Sequence, residues 1–240
     1  MNVLFMSDLH LDADRPEATR AFHRFLKQRA AGAEALYVLG DLFEAWVGDD
    51  DDSALAQEVV EALARLTAGG TAVFFARGNR DFLAGDDFAR RSGAVLLEDA
   101  SVVAIGGERV LLMHGDSLCT DDHDYQQFRA MVRDPKWQAQ FLALPLAARR
   151  ALAAQARDAS RLSTSGKPME IMDVNASAVA EAMRFYGVRR LIHGHTHRPA
   201  VHEFELDGAP AVRTVLGDWF RRGWALECDS QGSRLTAFDL

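Results

Sequence analysis

The segment LIHGHTHRP, residues 191–199, places three histidines within five positions of the chain. They are His193, His195 and His197, and one residue separates each from the next. Side chains two residues apart on an extended backbone point to the same side, so at least two of these rings should converge. Histidine is a common metal ligand and a proton carrier near neutral pH. The spacing therefore favours a metal site over an isolated structural histidine.

Four other apolar runs also end in side chains that could hold a metal ion. The segments SDLH, GDLFE, RGNRD and MHGD follow these runs, and they carry Asp8, His10, Asp41, Asn79, Arg80, Asp81 and His114. In α/β sheets, ligands gather at the carboxyl ends of the strands. Five separate segments are therefore predicted to aim oxygen and nitrogen donors at one place.

The pattern of the chain predicts the elements that position these residues. NVLFMSD, ALYVLGD and TAVFFARGN are predicted strands, and helices are predicted over residues 16–31, 53–68 and 86–91. This alternation implies parallel strands that helices cover. Residues 94–113 hold three more strand candidates, residues 122–187 are mostly helical, and five strands follow. The predicted fold is α/β (α+β): two mixed β-sheets packed as a sandwich flanked by helices, one domain over residues 1–240, with a helical insertion over residues 122–170.

Composition narrows the possible functions. A chain of 240 residues with 48% hydrophobic residues is long and apolar enough to fold around a sizeable core. Its net charge of −8 argues against broad nucleic-acid binding, which usually needs a basic surface. Cys119 and Cys228 form no CxxC motif and are typical of free thiols in a reducing compartment. No signal peptide or membrane span is apparent, so a cytoplasmic location is expected.

The order of the polar motifs resembles that of the calcineurin-like metallophosphoesterases. The matching motifs are Asp8-Leu9-His10, Gly40-Asp41, Gly78-Asn79, His114-Gly115 and Gly194-His195-Thr196-His197. The resemblance spans nearly the whole chain and implies the metallophosphoesterase fold. It assigns one metal ion to Asp8, His10, Asp41 and His197, and a second to Asp41, Asn79, His114 and His195, with Asp41 bridging the two. His193 is left over, and we expect a buried strand residue there.

The resemblance also implies the chemistry. Carboxylate, amide and imidazole ligands without thiolate suit two Mn²⁺ or similar ions, and the same ligand types also bind Fe and Zn. Two ions about 3.5–4 Å apart activate a water that attacks phosphorus in line with the leaving group, so no side-chain nucleophile is needed. The string GDSL at residues 115–118 also names a family of serine esterases, but Ser117 has no late D-x-x-H partner in this sequence. Without a histidine base it is an ordinary hydroxyl, and we reject that alternative.

The presence of Arg80 narrows the range of possible substrates. Many members of the superfamily have histidine after the G-N pair, whereas this chain has Gly78-Asn79-Arg80. Arginine cannot act as an acid at neutral pH, but its planar guanidinium suits a phosphate. A catalytic Arg80 therefore favours a leaving group that needs no proton, such as a phosphate monoester displaced from a pyrophosphate.

A closer resemblance is to the pyrophosphatases of lipid A synthesis. It rests on FMSDLHL, YVLGDLFEAWVGDDD, GNRDFL, LMHGDSLCTDD and IHGHTHRP. It implies hydrolysis of UDP-2,3-diacylglucosamine, a lipid-linked nucleotide sugar, to UMP and 2,3-diacylglucosamine 1-phosphate in a Gram-negative cytoplasm. The substrate contacts that it implies are Asn79, Arg80, Asp122, Ser160, Thr164, Lys167 and His195. The acidic run at residues 49–52 is expected to be a solvated lead into the helix cap at Ser53.

The predicted insertion combines basic and apolar residues. Residues 129–167 carry a net charge of +6, and the rest of the chain carries −14. An ordinary amphipathic helix pair would show a similar pattern. Our hypothesis is a lid whose inner face holds acyl chain, with Arg157, Ser160, Thr164 and Lys167 toward the head group. The outer basic residues would hold a monomer at the anionic inner face of the inner membrane.

Two other functions stay open at this point. One is a metallophosphoesterase that acts on a soluble nucleotide or another phosphodiester. The other is an inactive scaffold that keeps the fold for binding. All seven predicted ligand positions are filled, which argues against the scaffold, and the apolar insertion argues against a soluble substrate.

Overall fold

The first β-sheet carries the N-terminal strands. A computed structural model describes residues 2–164 and 171–240, without the side chains of residues 161–164. Strands β1 to β4 of this sheet are parallel and comprise Asn2–Met6, Ala35–Leu39, Ala72–Ala76 and Val95–Leu96. Two C-terminal strands, β10 (Arg222–Asp229) and β11 (Gly232–Asp239), extend it in an antiparallel direction beyond β1. The sheet order is β11-β10-β1-β2-β3-β4.

The second sheet has five strands and is also mixed. Its order is β5-β6-β7-β9-β8, with bounds Ala100–Ile105, Glu108–Met113, Arg190–His193, Ala209–Val215 and Ala200–Leu206 in that order. Strand β7 runs parallel to both of its neighbours, and the outer pairs are antiparallel. Phe5 and Leu39 of the first sheet pack in one buried cluster with Leu112 and Ile192 of the second. The predicted sandwich of two mixed sheets is confirmed.

Helices cover the outer face of each sheet. Helices α1 (Pro16–Phe25), α2 (Ala54–Ala68) and α3 (Asp86–Ser92) pack on the first sheet, and a π-helical turn, Leu26–Ala30, extends α1. These elements confirm the helices predicted over residues 16–31, 53–68 and 86–91. Strand residues alternate, so that Leu4 and Met6 face these helices whereas Val3 and Phe5 face the other sheet.

Three helices fill the described part of the predicted insertion, residues 122–170. They are α4 (His123–Val132), α5 (Pro135–Leu142) and α6 (Leu146–Thr164), and α7 (Ala176–Tyr186) then covers the second sheet. Asp122 caps α4 by accepting from the backbone N–H of Tyr125, and Asp134 caps α5. None of the helices in the described part of the chain combines the length and hydropathy that a membrane span requires.

Within the acidic run at residues 49–52, Asp50 and Asp52 are exposed, as the prediction of a solvated run requires, whereas that prediction is wrong for the buried Asp51 and for Asp49. The carboxylate of Asp49 accepts from the backbone N–H groups of Gly85 and Phe88, at 3.0 and 2.9 Å, and so caps the start of α3. Asp50 pairs with Arg149 on α6, and Arg150 reaches Asp51 and Asp52. The run therefore anchors the insertion to the rest of the protein. The charge pattern of the run alone does not predict these ion pairs, because their arginines lie about a hundred residues later in the chain.

The basic residues of the insertion are engaged in the same way. Arg129 and Arg133 pair with acidic residues of the body, as Arg149 and Arg150 do. Their charges therefore serve the docking of the insertion, and attachment of the outer basic residues to a membrane stays a prediction. Lys136 is exposed, whereas the side chain of Arg161 and the whole of Lys167 lie outside the described residues.

Candidate metal centre and substrate cavity

The backbone is strained where the predicted ligands lie. Six non-glycine residues of the described chain have φ between 49° and 68°, and five of them are predicted metal ligands: Asp8, His10, Asp41, His195 and His197. The sixth, Asp207, shapes the turn between β8 and β9. Such conformations cost on the order of 1–3 kcal/mol each and cluster at functional sites. On regular extended backbone these side chains would point to alternate faces of the sheet. The left-handed conformations instead direct them toward one edge of the sandwich.

Backbone hydrogen bonds join the ligand-bearing loops. The N–H of His10 donates to the carbonyl of Asp41 at 2.9 Å, and the N–H of Gly194 donates to the carbonyl of His114 at 2.8 Å. The loops approach so closely that a Cβ on Gly78 would lie 2.1 Å from Oδ1 of Asp41. Glycine is therefore required at position 78, and the G-N motif has a steric cause as well as a chemical one.

One group of donors consists of Asp8, His10 and His197. One ligand atom from each lies within 4.8 Å of the others. Nε2 of His10 is 3.2 Å from Nε2 of His197, which in turn is 3.4 Å from Oδ1 of Asp8. That carboxylate oxygen is buried and has no hydrogen-bond partner in the described structure. An orphaned buried oxygen beside two imidazoles fits a cation.

A second group of donors lies across the edge. Oδ1 of Asn79 is 2.9 Å from Nε2 of His114 and 2.9 Å from Nδ1 of His195. The other nitrogen of His114, Nδ1, lies 2.8 Å from the carbonyl oxygen of Leu39, which fixes the ring so that Nε2 faces inward.

Asp41 stands between the two groups. Its Oδ2 is 3.6 Å from Nε2 of His10, and its Oδ1 is 3.7 Å from Nε2 of His114. Burial lowers the pKa of His114, but the carboxylates of Asp41 and Asp8 raise it to about 9. A potential that favours a proton on a buried imidazole also favours a metal cation. The seven predicted ligand residues are therefore together, and their donor chemistry fits two divalent ions.

Comparison with known proteins shows which family this chain belongs to. Residues 1–199 match the sequence model of the calcineurin-like phosphoesterases. The chain belongs to this family. It is 52% identical to the UDP-2,3-diacylglucosamine hydrolase of Cellvibrio japonicus and 54% identical to that of Pseudomonas paraeruginosa, and each alignment covers all of both chains. A solved archaeal phosphodiesterase shares the fold with a TM-score of 0.52 at 14% identity, over 99% of this chain and all of that one.

Burial and neighbouring charges shift the pKa values of the predicted ligand residues of this phosphoesterase. Burial alone would raise the pKa of Asp8, but the nearby imidazoles of His197, His114 and His10 outweigh it, so the pKa lies below its ordinary value. Burial lowers the pKa of His195 to about 4, which leaves its ring neutral and able to donate a lone pair. His193 is fully buried at the end of β7, and burial lowers its pKa to about 3. It lies in the strand, as predicted.

Two supporting carboxylates of the phosphoesterase were not predicted from the sequence. Glu44 lies with Oε2 2.9 Å from Nδ1 of His10, which leaves Nε2 of that ring toward the metal centre. Asp81 is fully buried and accepts from the N–H groups of Gly78 and Leu42, both at 2.7 Å. Desolvation and the charge of Asp41 raise the pKa of Asp81 to about 6. Their motifs, GDLFE and RGNRD, were recognised, but nothing local separates a supporting carboxylate from a ligand.

A cavity of about 780 Å³ opens beside the second donor group of the phosphoesterase. Asn79 and Arg80 line it at that end, and its far wall is apolar, formed by Phe128, Val132, Trp137, Phe141, Leu144 and Leu152 of the insertion. Asp122, Arg157 and Ser160, all predicted substrate contacts, also line it. The side chain of Thr164 and the whole of Lys167 lie outside the described residues. Nε of Arg80 is buried and has no hydrogen-bond partner in the described structure.

Proposed function

We propose that this phosphoesterase hydrolyses the pyrophosphate bond of UDP-2,3-diacylglucosamine in lipid A synthesis, releasing UMP and 2,3-diacylglucosamine 1-phosphate. The observation that carries the proposal is the apolar cavity that meets the candidate metal centre at Asn79 and Arg80. A phosphodiester without a lipid needs no such wall, whereas acyl chains must leave water while their head group reaches the metal centre. The names of the full-length relatives point to the same substrate.

The metal ligands follow from the two donor groups. Asp8, His10, Asp41 and His197 hold one Mn²⁺ ion, and Asp41, Asn79, His114 and His195 hold the other. When bound, the two ions activate a water molecule and neutralise charge on the phosphoryl oxygens. The protein's own contribution is to keep Asp8 ionised, to keep His195 neutral and to fix the rings of His10 and His114 through second hydrogen bonds, to Glu44 and to the carbonyl oxygen of Leu39.

Arg80 acts on the departing phosphate. Its guanidinium has an unsatisfied donor and lines the cavity where the sugar phosphate must lie. Arginine can hold two phosphate oxygens at once without giving up a proton, which suits a phosphate leaving group of low basicity. Asn79, Asp122, Arg157, Ser160 and His195 complete the contacts to the head group in this proposal, with Thr164 and Lys167 beyond the described residues.

Peripheral attachment of a cytoplasmic monomer to the inner membrane extends the proposal. Nine large apolar side chains are exposed in the described structure, and five of them belong to the insertion: Phe128, Met131, Leu142, Leu144 and Leu152. Three of these five also line the cavity, so its mouth is apolar. Since five described arginines of the insertion pair within the chain, attachment rests on these apolar side chains more than on charge. Co-sedimentation with phosphatidylglycerol vesicles, resistant to high salt, is the expected result.

A substrate panel tests the proposed function. The purified protein, stripped of metal and reloaded with Mn²⁺, is assayed on UDP-2,3-diacylglucosamine, on a dinucleoside polyphosphate and on a chromogenic phosphodiester. We expect kcat/KM for the lipid substrate to exceed that for both soluble substrates by at least about a hundredfold, because only the lipid fills the apolar cavity. A preference for either soluble substrate would establish the alternative function instead. Stripped protein assayed with chelator is the control for metal dependence.

A further inference from the structure

Helix α4 contacts both the apolar cavity and the body of the protein. Phe128 and Val132, four residues apart, line the apolar cavity. Tyr125 and Arg129 of α4 and Arg133, the residue directly after it, follow one another at the same interval of four, so they lie along a second stripe, of which Tyr125 also lines the cavity. This second stripe reaches the body of the protein beside the second donor group of the metal centre.

The stripe converges on one buried carboxylate. Asp116 lies two residues after His114 and is 2% exposed. Its Oδ2 accepts from the hydroxyl of Tyr125 and from Nε of Arg129, each at 2.8 Å. Arg129 and Arg133 also share the carboxylate of Asp99 at the start of β5, at 2.8 and 3.0 Å. Two body carboxylates and three residues of α4 thus form one network.

Arg133 extends this network to a metal-binding turn. Its Nη2 donates to the carbonyl oxygen of Gly78 at 2.9 Å, directly before Asn79. Residues of the body hold the same turn by its N–H groups, since Gly78 donates to Asp81 and Arg80 donates to Asp41. Arg133 therefore links the insertion to this turn by a hydrogen bond.

Tyr125 reaches the other side of the same donor group. Its ring centroid lies 5.6 Å from that of His195, at an interplanar angle of 32°. Helix α4 thus contacts the segments of Asn79 and His195, and through Asp116 it contacts the loop of His114. All three are donors of one candidate metal site, and none of these contacts involves the group around His10.

We propose that Arg133 is a positioning residue for the second metal ion, and that docking of α4 completes this half of the centre. The proposal deepens the proposed function and rests on it in one respect: acyl chains against Phe128 and Val132 would favour the docked helix. A ligand that binds a docked state shifts the equilibrium toward that state. The lipid moiety would then help to assemble the site that cleaves it, and soluble esters would not.

Metal binding tests this role without any lipid. Arg133→Ala removes the bond to Gly78 and the ion pair with Asp99, and Arg133→Lys keeps a charge and part of the bonding. Arg150→Ala is the matched control, since it breaks another anchor of the same insertion, at Asp51 and Asp52, and these contacts do not include the turn of Asn79. Mn²⁺ is titrated into each stripped protein, with calorimetry for affinity and electron paramagnetic resonance for the coupled pair of ions.

The expected results separate positioning from anchoring. We expect Arg133→Ala to bind one Mn²⁺ as the wild type does and the other about tenfold or more weakly, the range found for groups that orient metal ligands. Arg133→Lys should fall between, and Arg150→Ala should bind both ions normally. On the lipid substrate, kcat of Arg133→Ala should fall by about 10–100-fold with KM within about twofold.

Two outcomes overturn the proposal. One is normal binding of both ions by Arg133→Ala, and the other is an equal loss in Arg150→Ala, which would make Arg133 a mere anchor. If circular dichroism shows that Arg133→Ala does not fold, Arg133→Lys is judged by the same criterion, and normal binding of both ions there refutes the role. Failure of the wild type to hydrolyse the lipid would refute the proposed function and leave this metal titration valid.

Discussion

The ligand edge of the sandwich and the helical insertion are built in opposite ways. At the edge, short loops are buried, hydrogen-bonded to one another and strained at five ligand positions. In the insertion, α5 has no buried residue and α4 has one, Val132, while large apolar side chains stay exposed. Metal chemistry needs fixed distances, whereas acyl chains need apolar surface that adapts. The contrast predicts that substitutions at the edge abolish activity on every substrate, and that those in the apolar cavity wall of the insertion affect the lipid alone.

The largest effect is expected at Asp41, which faces both donor groups. Asp41→Ala removes the carboxylate shared by the two ions, so most metal should be lost from both sites. Activity on every substrate should fall by more than the roughly 10–100-fold typical of outer-shell groups. Metal analysis and circular dichroism measure this. Asp207→Ala is the control, since Asp207 has the same backbone conformation in a distant turn, and full metal occupancy in Asp41→Ala would refute the ligand assignment.

Arg80 should give the next largest effect, with a different signature. Arg80→Ala removes the phosphate contact but no ligand atom, so we expect normal Mn²⁺ content and a loss in kcat of about a hundredfold. Arg80→Lys should retain a small fraction of activity because it keeps the charge and loses the planar fork. Steady-state kinetics with metal analysis decides the point. Near wild-type rates for either variant would exclude the phosphate-binding role.

A charge at the mouth of the cavity should separate the two regions most directly. Phe128→Asp places a carboxylate in the proposed path of an acyl chain, at a side chain that is 41% exposed, so folding should survive. We expect kcat/KM for the lipid to fall by about tenfold or more, since desolvating the new charge is unfavourable. Hydrolysis of a chromogenic phosphodiester should not change. Phe185→Asp, on α7, is the matched control, and an equal loss there would count against the cavity.

The smallest effects are expected at the helix caps and should still distinguish the regions. Ser53 caps α2, which packs in the core, so Ser53→Ala should lower the free energy of global unfolding by about 1 kcal/mol. Asp134 caps α5, which has no fully buried residue, so Asp134→Ala should speed local hydrogen exchange in the insertion and leave the global value nearly unchanged. Denaturant unfolding and hydrogen exchange measure the two. Equal global losses would show that the insertion unfolds together with the core.

The parts of the fold that were predictable are those that local pattern encodes. Apolar runs that end in polar residues predicted the strands and the loops that carry the donors, and the resemblance to the calcineurin-like family selected the seven residues among them. The ion pair of Asp50 with Arg149 joins residues 99 positions apart, and the bond of Arg133 to Gly78 joins residues 55 apart. No local pattern carries such pairings, because they depend on how the insertion docks. The supporting roles of Glu44 and Asp81 could not be predicted for the same reason, because these roles depend on contacts that form only in the folded chain.

The left-handed backbone at the ligand positions has a consequence for evolution and engineering. Glycine adopts such conformations without steric cost, so replacing His10 or His197 by glycine relieves backbone strain at the same time as it deletes a predicted ligand. Selection for thermal stability alone would therefore drift toward inactive sequences at this edge. A laboratory programme that screens variants by melting temperature should exclude these positions from its libraries, or it will enrich well-folded proteins that no longer turn over substrate.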